Sequence, residues 1–168
     1  MADADLAARI ERLESIEEIK ALKHRYFRAM TDGDYDLLRD VLTEDVVTSY
    51  SDGEYVFDDR EALLRFLVES HTADRKVIAY WMCAMPEIEL QGPDEATGIW
   101  AFYHQFFMPE QHHVDEMFAY YDDRYRREDG VWRIAYTGYR RIVNQEIDRR
   151  DVAYKLKAPP WAVTAPPA

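Results

Sequence analysis

The sequence predicts an α+β fold in which a curved antiparallel sheet wraps around N-terminal helices. The first half of the chain has apolar residues at helical spacing, and residues 96–144 hold three long segments rich in aromatic and β-branched residues. Between the last two segments, Asp129-Gly130 is a strong signal for a hairpin turn. Because the helices precede these strands, we expect helices on one face of the sheet and an apolar pocket at its open end.

The first helix is predicted over Asp5–Met30, where apolar residues recur every three or four positions. A capping box at Ser15–Glu18 would divide this segment into a short helix and a longer one. Gly33 is expected to end the second of these in a left-handed conformation.

Two shorter helices are predicted next. Asp34 can cap a helix over Tyr35–Leu42. Asp58, followed three residues later by Glu61, predicts the start of another helix over Arg60–Glu69.

Two further strands complete the predicted sheet. Val46–Ser51 is expected to be an edge strand. Lys76–Leu90 is expected to be a longer strand with a bulge at Pro86, because proline cannot donate to a ladder. The charged run from Asp122 to Glu128 is predicted to lie on the solvated outer face.

Composition and charge restrict the classes of partner. With 168 residues, 48% of them hydrophobic, we expect one folded domain over residues 1–156 and a Pro- and Ala-rich tail over 157–168. The net charge of −12 disfavours a nucleic-acid partner.

No apolar run reaches the roughly 18 residues that cross a bilayer, and no signal-peptide pattern opens the chain. We therefore expect a cytoplasmic protein without a membrane partner. Outward aromatic residues and the Pro-Trp tail indicate self-association, since a monomer would expose a large apolar patch.

Several segments resemble one known family. IEEIKALKHRYFRAMTDGDYDLLRDVLTEDV is similar to the opening of SnoaL-like proteins of the nuclear-transport-factor-2-like fold, and MPEIEL, ATGIW and YYDDRYRREDGVWRIAYTGYRR resemble later segments in the same order. The match covers most of residues 8–145. Relatives include scytalone dehydratase, bile-acid dehydratase and polyketide cyclases. The resemblance implies a cone-shaped sheet, a deep apolar pocket, cofactor-independent chemistry and assembly as a homodimer or homotrimer. The fold alone does not fix the reaction.

In such relatives a His–Asp pair serves as acid and base, while Tyr and Arg hold the oxygen that gains charge. Tyr26 matches the tyrosine of the family's Arg-Tyr-Phe motif, and Arg141 matches the arginine that ends the last strand motif. The usual pair is absent from its expected positions. Thr31 stands where relatives have Asp, with Asp32 one place later, and Trp81–Ala84 stands where they have His.

Two side chains could replace the missing pair. Asp32 would need a shifted helix end that points its carboxylate inward, and is otherwise a turn residue. His104 would need to face the pocket, where imidazole titrates near neutral pH, and is otherwise a structural or surface histidine. Both faces of its strand are apolar, so alternation alone leaves its direction open. The sequence also leaves two positions for the Tyr26 side chain, which is either a pocket tyrosine or a core tyrosine.

The predicted site therefore has catalytic and ligand-lining members. The catalytic candidates are Tyr26, Asp32, His104 and Arg141. The ligand-lining candidates are Tyr50, Trp81, Met82, Phe102 and Tyr120. An arginine inside an apolar pocket needs an anion, either Asp32, Asp115 or a ligand carboxylate. No metal or other cofactor is expected, because no residues have a convincing metal-ligand spacing.

Two functions remain open from the sequence. The first is a cofactor-independent dehydratase, isomerase or cyclase acting on a hydrophobic, hydroxylated or keto polycyclic small molecule. The second is a non-catalytic small-molecule-binding or accessory protein that lacks the usual His–Asp pair and holds its ligand in a dry cavity.

Overall fold

The computed structural model describes residues 2–71, 77–155 and 157. The elements in chain order are α1 (Ala2–Asp32), α2 (Tyr35–Val41), β1 (Leu42–Tyr50), β2 (Tyr55–Phe57), α3 (Arg60–His71), β3 (Ile78–Leu90), β4 (Glu95–Met108), β5 (His113–Glu128) and β6 (Val131–Asp148). Short 3-10 turns follow β1 and β4, at Ser51–Gly53 and Pro109–Gln111. The predicted tail, apart from residue 157, lies outside the described residues.

The six strands form one curved, unclosed sheet in the order β2-β1-β6-β5-β4-β3. The predicted α+β class is confirmed. All neighbouring strands are antiparallel except β1 and β6, which run parallel, so the sheet is mixed and the prediction of a purely antiparallel sheet is wrong at that pair. The predicted edge strand is also misplaced. β1 lies inside the sheet because β6 returns to pair with it. The edge on this side is β2, which is too short to show alternation.

The expected break in the first helix is wrong, because α1 is continuous. Ser15 is buried, and its hydroxyl accepts a hydrogen bond from Arg127 Nη2 of β5 at 2.8 Å instead of capping a helix. Gly33 has φ +68°, which confirms the left-handed end of α1. Asp34 caps α2 as predicted, accepting from the backbone N–H of Leu37 at 3.0 Å.

Of three further local predictions, the structure confirms a hairpin turn and a bulge and shifts one helix cap by a residue. Asp129 and Gly130 have φ of +51° and +79°, the paired positive values of a type I′ hairpin turn. The pairing of β3 with β4 shifts register between Ala84 and Glu87, which confirms the bulge expected at Pro86. The N-terminal cap of α3 was predicted one residue early: Asp59, not Asp58, accepts from the backbone N–H of Ala62 at 2.7 Å.

The core lies between α1 and the inner face of the sheet, with α1 packed against β3 and β6. Its largest fully buried apolar side chains are Trp100, Tyr26, Tyr125, Ile19, Leu22, Leu38, Leu42, Leu63, Leu67, Ile134 and Val46. Within the part of the chain that the structure describes, none of the helices combines the length and the apolar character needed to cross a bilayer.

A buried polar network crosses this core, and it corrects the prediction that the whole charged run of β5 is solvated. Asp123 is fully buried, and its carboxylate lies 2.7 Å from Lys23 Nζ, which is also fully buried. Thr137 and Tyr125 each donate a hydroxyl hydrogen bond to Asp123 at 2.7 Å, and Trp100 Nε1 donates to the Tyr125 hydroxyl at 2.8 Å. The ion pair is therefore held by neutral donors on β5 itself and on the neighbouring β6.

Candidate functional site

A cavity of about 670 Å³ opens between the inner face of the sheet, α3 and the end of α1. Its wall is mainly aromatic and aliphatic, with a minority of polar groups, the usual composition of a small-molecule site. The described lining residues are Met30, Tyr50, Ser51, Tyr55, Phe66, Leu67, Ser70, Val77, Trp81, Phe102, His104, Phe106, Met108, Gln111, Asp115, Met117, Tyr121, Tyr139, Arg141 and Asn144.

A histidine and an aspartate lie side by side on the cavity wall. His104 faces inward from β4 and is 6% exposed, which settles the direction that alternation left open. Its Nε2 lies 3.4 Å from Asp115 Oδ2 on β5. Asp115 pairs across the ladder with Phe106, two residues beyond His104, so the two side chains share a face of the sheet. The imidazole stacks on the Phe106 ring, with centroids 4.2 Å apart, which fixes its plane.

Tyrosine hydroxyls occupy the inner part of the cavity. Tyr50 lines it, and its hydroxyl lies 2.6 Å from that of Tyr26, which is fully buried behind Tyr50. Tyr121 and Tyr139 line the same region, and the Tyr139 hydroxyl lies 2.9 Å from Ser51 Oγ. Burial raises the pKa of Tyr50 and of Tyr121 well above the ordinary value, so both remain protonated donors at neutral pH.

Arg141 lines the cavity near the Ser51–Gly53 turn and is paired with Asp52. Its Nε donates to Asp52 Oδ2 at 2.6 Å, and its backbone N–H donates to Oδ1 at 2.9 Å. The anion that Arg141 requires is therefore Asp52, and not Asp32, Asp115 or a ligand as the sequence suggested. Ser51 and Asp52 have φ of +52° and +60°, two successive non-glycine residues in the left-handed region.

Of the nine predicted site residues, the structure places five on the cavity wall: Tyr50, Trp81, Phe102, His104 and Arg141. Tyr26 stands one layer behind, in contact with Tyr50.

The remaining three lie elsewhere. Asp32 is exposed at the end of α1, and Thr31 before it donates its hydroxyl to the Phe27 carbonyl at 3.0 Å. Met82 and Tyr120 are 46% and 42% exposed, because strand alternation turns them to the outer face.

Sequence reasoning missed the residues that complete the site. Tyr121, Tyr139 and Asp52 were not proposed, and Asp115 was considered only as an anion for Arg141. The register of the β4–β5 hairpin was the available signal, because it sets Asp115 diagonally across from His104. Among the described residues, no three His, Cys, Asp or Glu side chains converge as metal ligands would.

The chain is similar to known proteins in sequence and in fold. The model of the SnoaL-like domain family matches residues 11–138. Among solved structures, the chain is similar to a hexachlorocyclohexane dehydrochlorinase, LinA Type2, at 18% identity over 90% of this chain and 98% of that chain, with a TM-score of 0.75.

Two further structures share the fold. A candidate scytalone dehydratase from Novosphingobium aromaticivorans matches at 15% identity over 89% of this chain and 94% of that chain, with a TM-score of 0.72. A variant of Rv3472 from Mycobacterium tuberculosis, described as of unknown function, matches at 27% identity over 78% of this chain and 73% of that chain, with a TM-score of 0.67. These structures share the nuclear-transport-factor-2-like fold, and the family model matches most of the length of the chain. The chain therefore belongs to the SnoaL-like domain family.

Proposed function

We propose that this protein is a cofactor-independent acid–base enzyme of the dehydratase or isomerase type. Its substrate class would be a hydrophobic small molecule, hydroxylated or keto and polycyclic. The observation that carries the proposal is the His104–Asp115 pair on the cavity wall, which supplies an acid–base pair at positions other than the family's usual ones. The dehydrochlorinase and dehydratase among its structural relatives support the same reaction class.

We assign a role to each group in this proposal. His104 takes a proton from the carbon beside a ketone, and Asp115 at 3.4 Å stabilises the resulting imidazolium. The ketone oxygen gains negative charge as the proton leaves, and the hydroxyl of Tyr50 donates a hydrogen bond to it. In a dehydration, the imidazolium then returns its proton to the departing hydroxyl, which leaves as water. In an isomerisation, the same proton is delivered to another carbon of the enolate.

Tyr26 and Arg141 act behind this first layer. The Tyr26 hydroxyl, 2.6 Å from that of Tyr50, orients the hydroxyl that would touch the substrate, so Tyr26 is a positioning residue. Arg141 holds the turn beside the cavity through Asp52. Asp32 has no part in this mechanism, because it is exposed at the end of α1.

The test is an incubation, without added cofactor, with hydroxysteroids, hydroxylated naphthols and keto-polyketides, read by mass spectrometry. We expect loss of water or an isomer of shifted retention. His104→Gln and Asp115→Asn should abolish or strongly reduce it. The exposed residues His24 and Asp122 offer matched controls, and His24→Gln and Asp122→Asn should retain activity. Turnover that survives in His104→Gln would contradict the assigned base.

A non-catalytic binding protein is the second candidate. Thr31 and the Trp81–Ala84 segment favour it, because neither supplies the acid or base that relatives carry there. Compounds that raise the melting temperature of the wild type yet remain unconverted would establish binding without catalysis.

We also infer self-association with a second copy through the outer face of the sheet. Large apolar side chains are exposed there on β3 and β5, the two strands that flank β4, among them Tyr80, Met82, Phe118 and Tyr120. Light scattering coupled to size exclusion should report a dimer or trimer, and Tyr120→Glu should shift it towards the monomer. Tyr154→Glu, a change at an exposed tyrosine after β6, is the control.

A further inference from the structure

The cation on the cavity wall is already neutralised within the chain. Arg141 donates from Nε to Asp52 and from Nη2 to the Ser51 carbonyl at 3.3 Å. The backbone N–H of Arg141, followed by its side chain, donates to Asp52 and holds the pKa of that carboxyl below its ordinary value, so the carboxylate is ionised at neutral pH. A ligand anion at Arg141 would have to compete with Asp52, a carboxylate that is covalently part of the same site.

The other ionic groups of the described wall do not attract an anion. Asp115 is an acidic side chain and would repel an anion. When His104 beside it is protonated, Asp115 already compensates the imidazolium charge. A ligand carboxylate would therefore meet Asp115 with no uncompensated cation among the described lining residues. An uncharged oxygen has no such conflict, because the tyrosine hydroxyls of the wall are protonated donors.

The turn that carries Asp52 is held in place from two sides. The Ser51 hydroxyl contacts Tyr139 at 2.9 Å, and Asp52 is tied to both the backbone and the side chain of Arg141. Positive φ at Asp52 is costly for most L-residues but accessible to Asp and Asn, which can bond locally. The carboxylate thus has a fixed place beside Arg141.

We infer that Asp52 determines the charge selectivity of the cavity. By occupying Arg141, it makes the cavity accept uncharged hydroxylated or keto ligands and reject carboxylates of the same shape. This inference rests on the proposed function, since it specifies the ligand class of the same cavity.

The test compares two ligands of nearly identical shape, 2-acetylnaphthalene and 2-naphthoate, which differ in a methyl ketone and a carboxylate. Isothermal titration calorimetry at pH 7 gives the ratio of their dissociation constants. In the wild type the ketone should bind more tightly, by about tenfold or more. Asp52→Asn leaves Arg141 uncompensated while keeping a residue that tolerates positive φ, and should shift the ratio towards the carboxylate by about tenfold.

Two further variants separate this effect from a general change in charge. Asp148→Asn removes a carboxylate that is also paired with an arginine, Arg150, but at the end of β6 away from the cavity wall, and should leave the ratio unchanged. Adding Arg141→Gln to Asp52→Asn should abolish the gained carboxylate affinity. Circular dichroism verifies that each variant is folded.

Each outcome bears on the inference. Equal binding of both ligands by the wild type, an unchanged ratio in Asp52→Asn, or binding of neither ligand overturns it. Because the measurement is binding, it is independent of turnover. A protein that prefers the ketone but converts no compound retains the charge selectivity and loses only the proposed catalysis.

Discussion

Replacing Lys23 by Met should destabilise the fold more than any change to a surface ion pair. The substitution leaves the fully buried Asp123 carboxylate with its hydroxyl donors, Thr137 and Tyr125, but without a cation. Removing one partner of a buried ion pair costs about 3–5 kcal/mol. The substitution also removes a cation–π contact, since Lys23 Nζ lies 3.9 Å from the centroid of Tyr121. Methionine fills much of the same space, so the loss is electrostatic more than steric.

The measurement is urea unfolding followed by circular dichroism, supported by thermal melting. A loss of about 3–5 kcal/mol corresponds to a melting temperature lower by roughly 6–20 °C for a domain of this size. Lys20→Met is the matched control: Lys20 lies one turn earlier on α1, and its ion pair with Glu17 is exposed. It should change the free energy of unfolding by no more than ~0.5 kcal/mol.

A double-mutant cycle tests whether the pair is the cause. Asp123→Asn alone leaves the Lys23 ammonium unpaired in the core, where burial already lowers the pKa of the amine. The double variant should be less destabilised than the sum of the single variants, by about 1–3 kcal/mol. If Lys23→Met were no worse than Lys20→Met, or if the two single changes simply added, the ion pair would not hold this core together.

Two other predictions concern glycine and cysteine. Gly138→Ala should lower the free energy of unfolding in urea by about 1–3 kcal/mol, because a Cβ would lie 2.8 Å from the Ser49 carbonyl of the parallel neighbour β1. Gly92 has open space around it, so Gly92→Ala should be within ~0.5 kcal/mol of the wild type. Burial raises the pKa of the Cys83 thiol from 9.0 to about 11, so below that range it holds about 100-fold less thiolate than a free thiol. Its reaction with a disulfide reagent at pH 8 should be slower in the folded chain than in urea by roughly tenfold or more, because the thiolate is scarcer although each thiolate is more nucleophilic. Equal rates would refute the half-buried position.

Local sequence patterns predicted much of the fold, because each of these elements is determined by residues close together in the chain. The period of α1, the Asp129-Gly130 turn and the bulge at Pro86 all depend on a few adjacent positions. The parallel pairing of β1 with β6 depends on strands that are distant in sequence, so no local pattern could reveal it.

The error at Asp123 has a different origin. Charge density suggested a solvated face, yet Asp123 lies between Tyr121 and Tyr125 at the two-residue spacing that places all three on one side of β5. The aromatic neighbours two residues away were the better guide, because burying two tyrosines forces the residue between them inward. A buried carboxylate then required a buried cation, and Lys23 on the facing side of α1 supplies it.

Two pairs of ionisable side chains inside the described part of the chain differ in what their polar atoms can contact. Lys23 has three donors, and its contacts with Asp123 Oδ1, Asp123 Oδ2 and Thr137 Oγ1 account for them, so none remains for a ligand. His104 and Asp115 instead stand on the cavity wall, where a ligand can reach them. The first pair therefore stabilises the fold, and the second is the one suited to moving a proton. Assayed well below its melting temperature, Lys23→Met should consequently keep the pH dependence of turnover, whereas His104→Gln should lose the limb that an imidazole base creates.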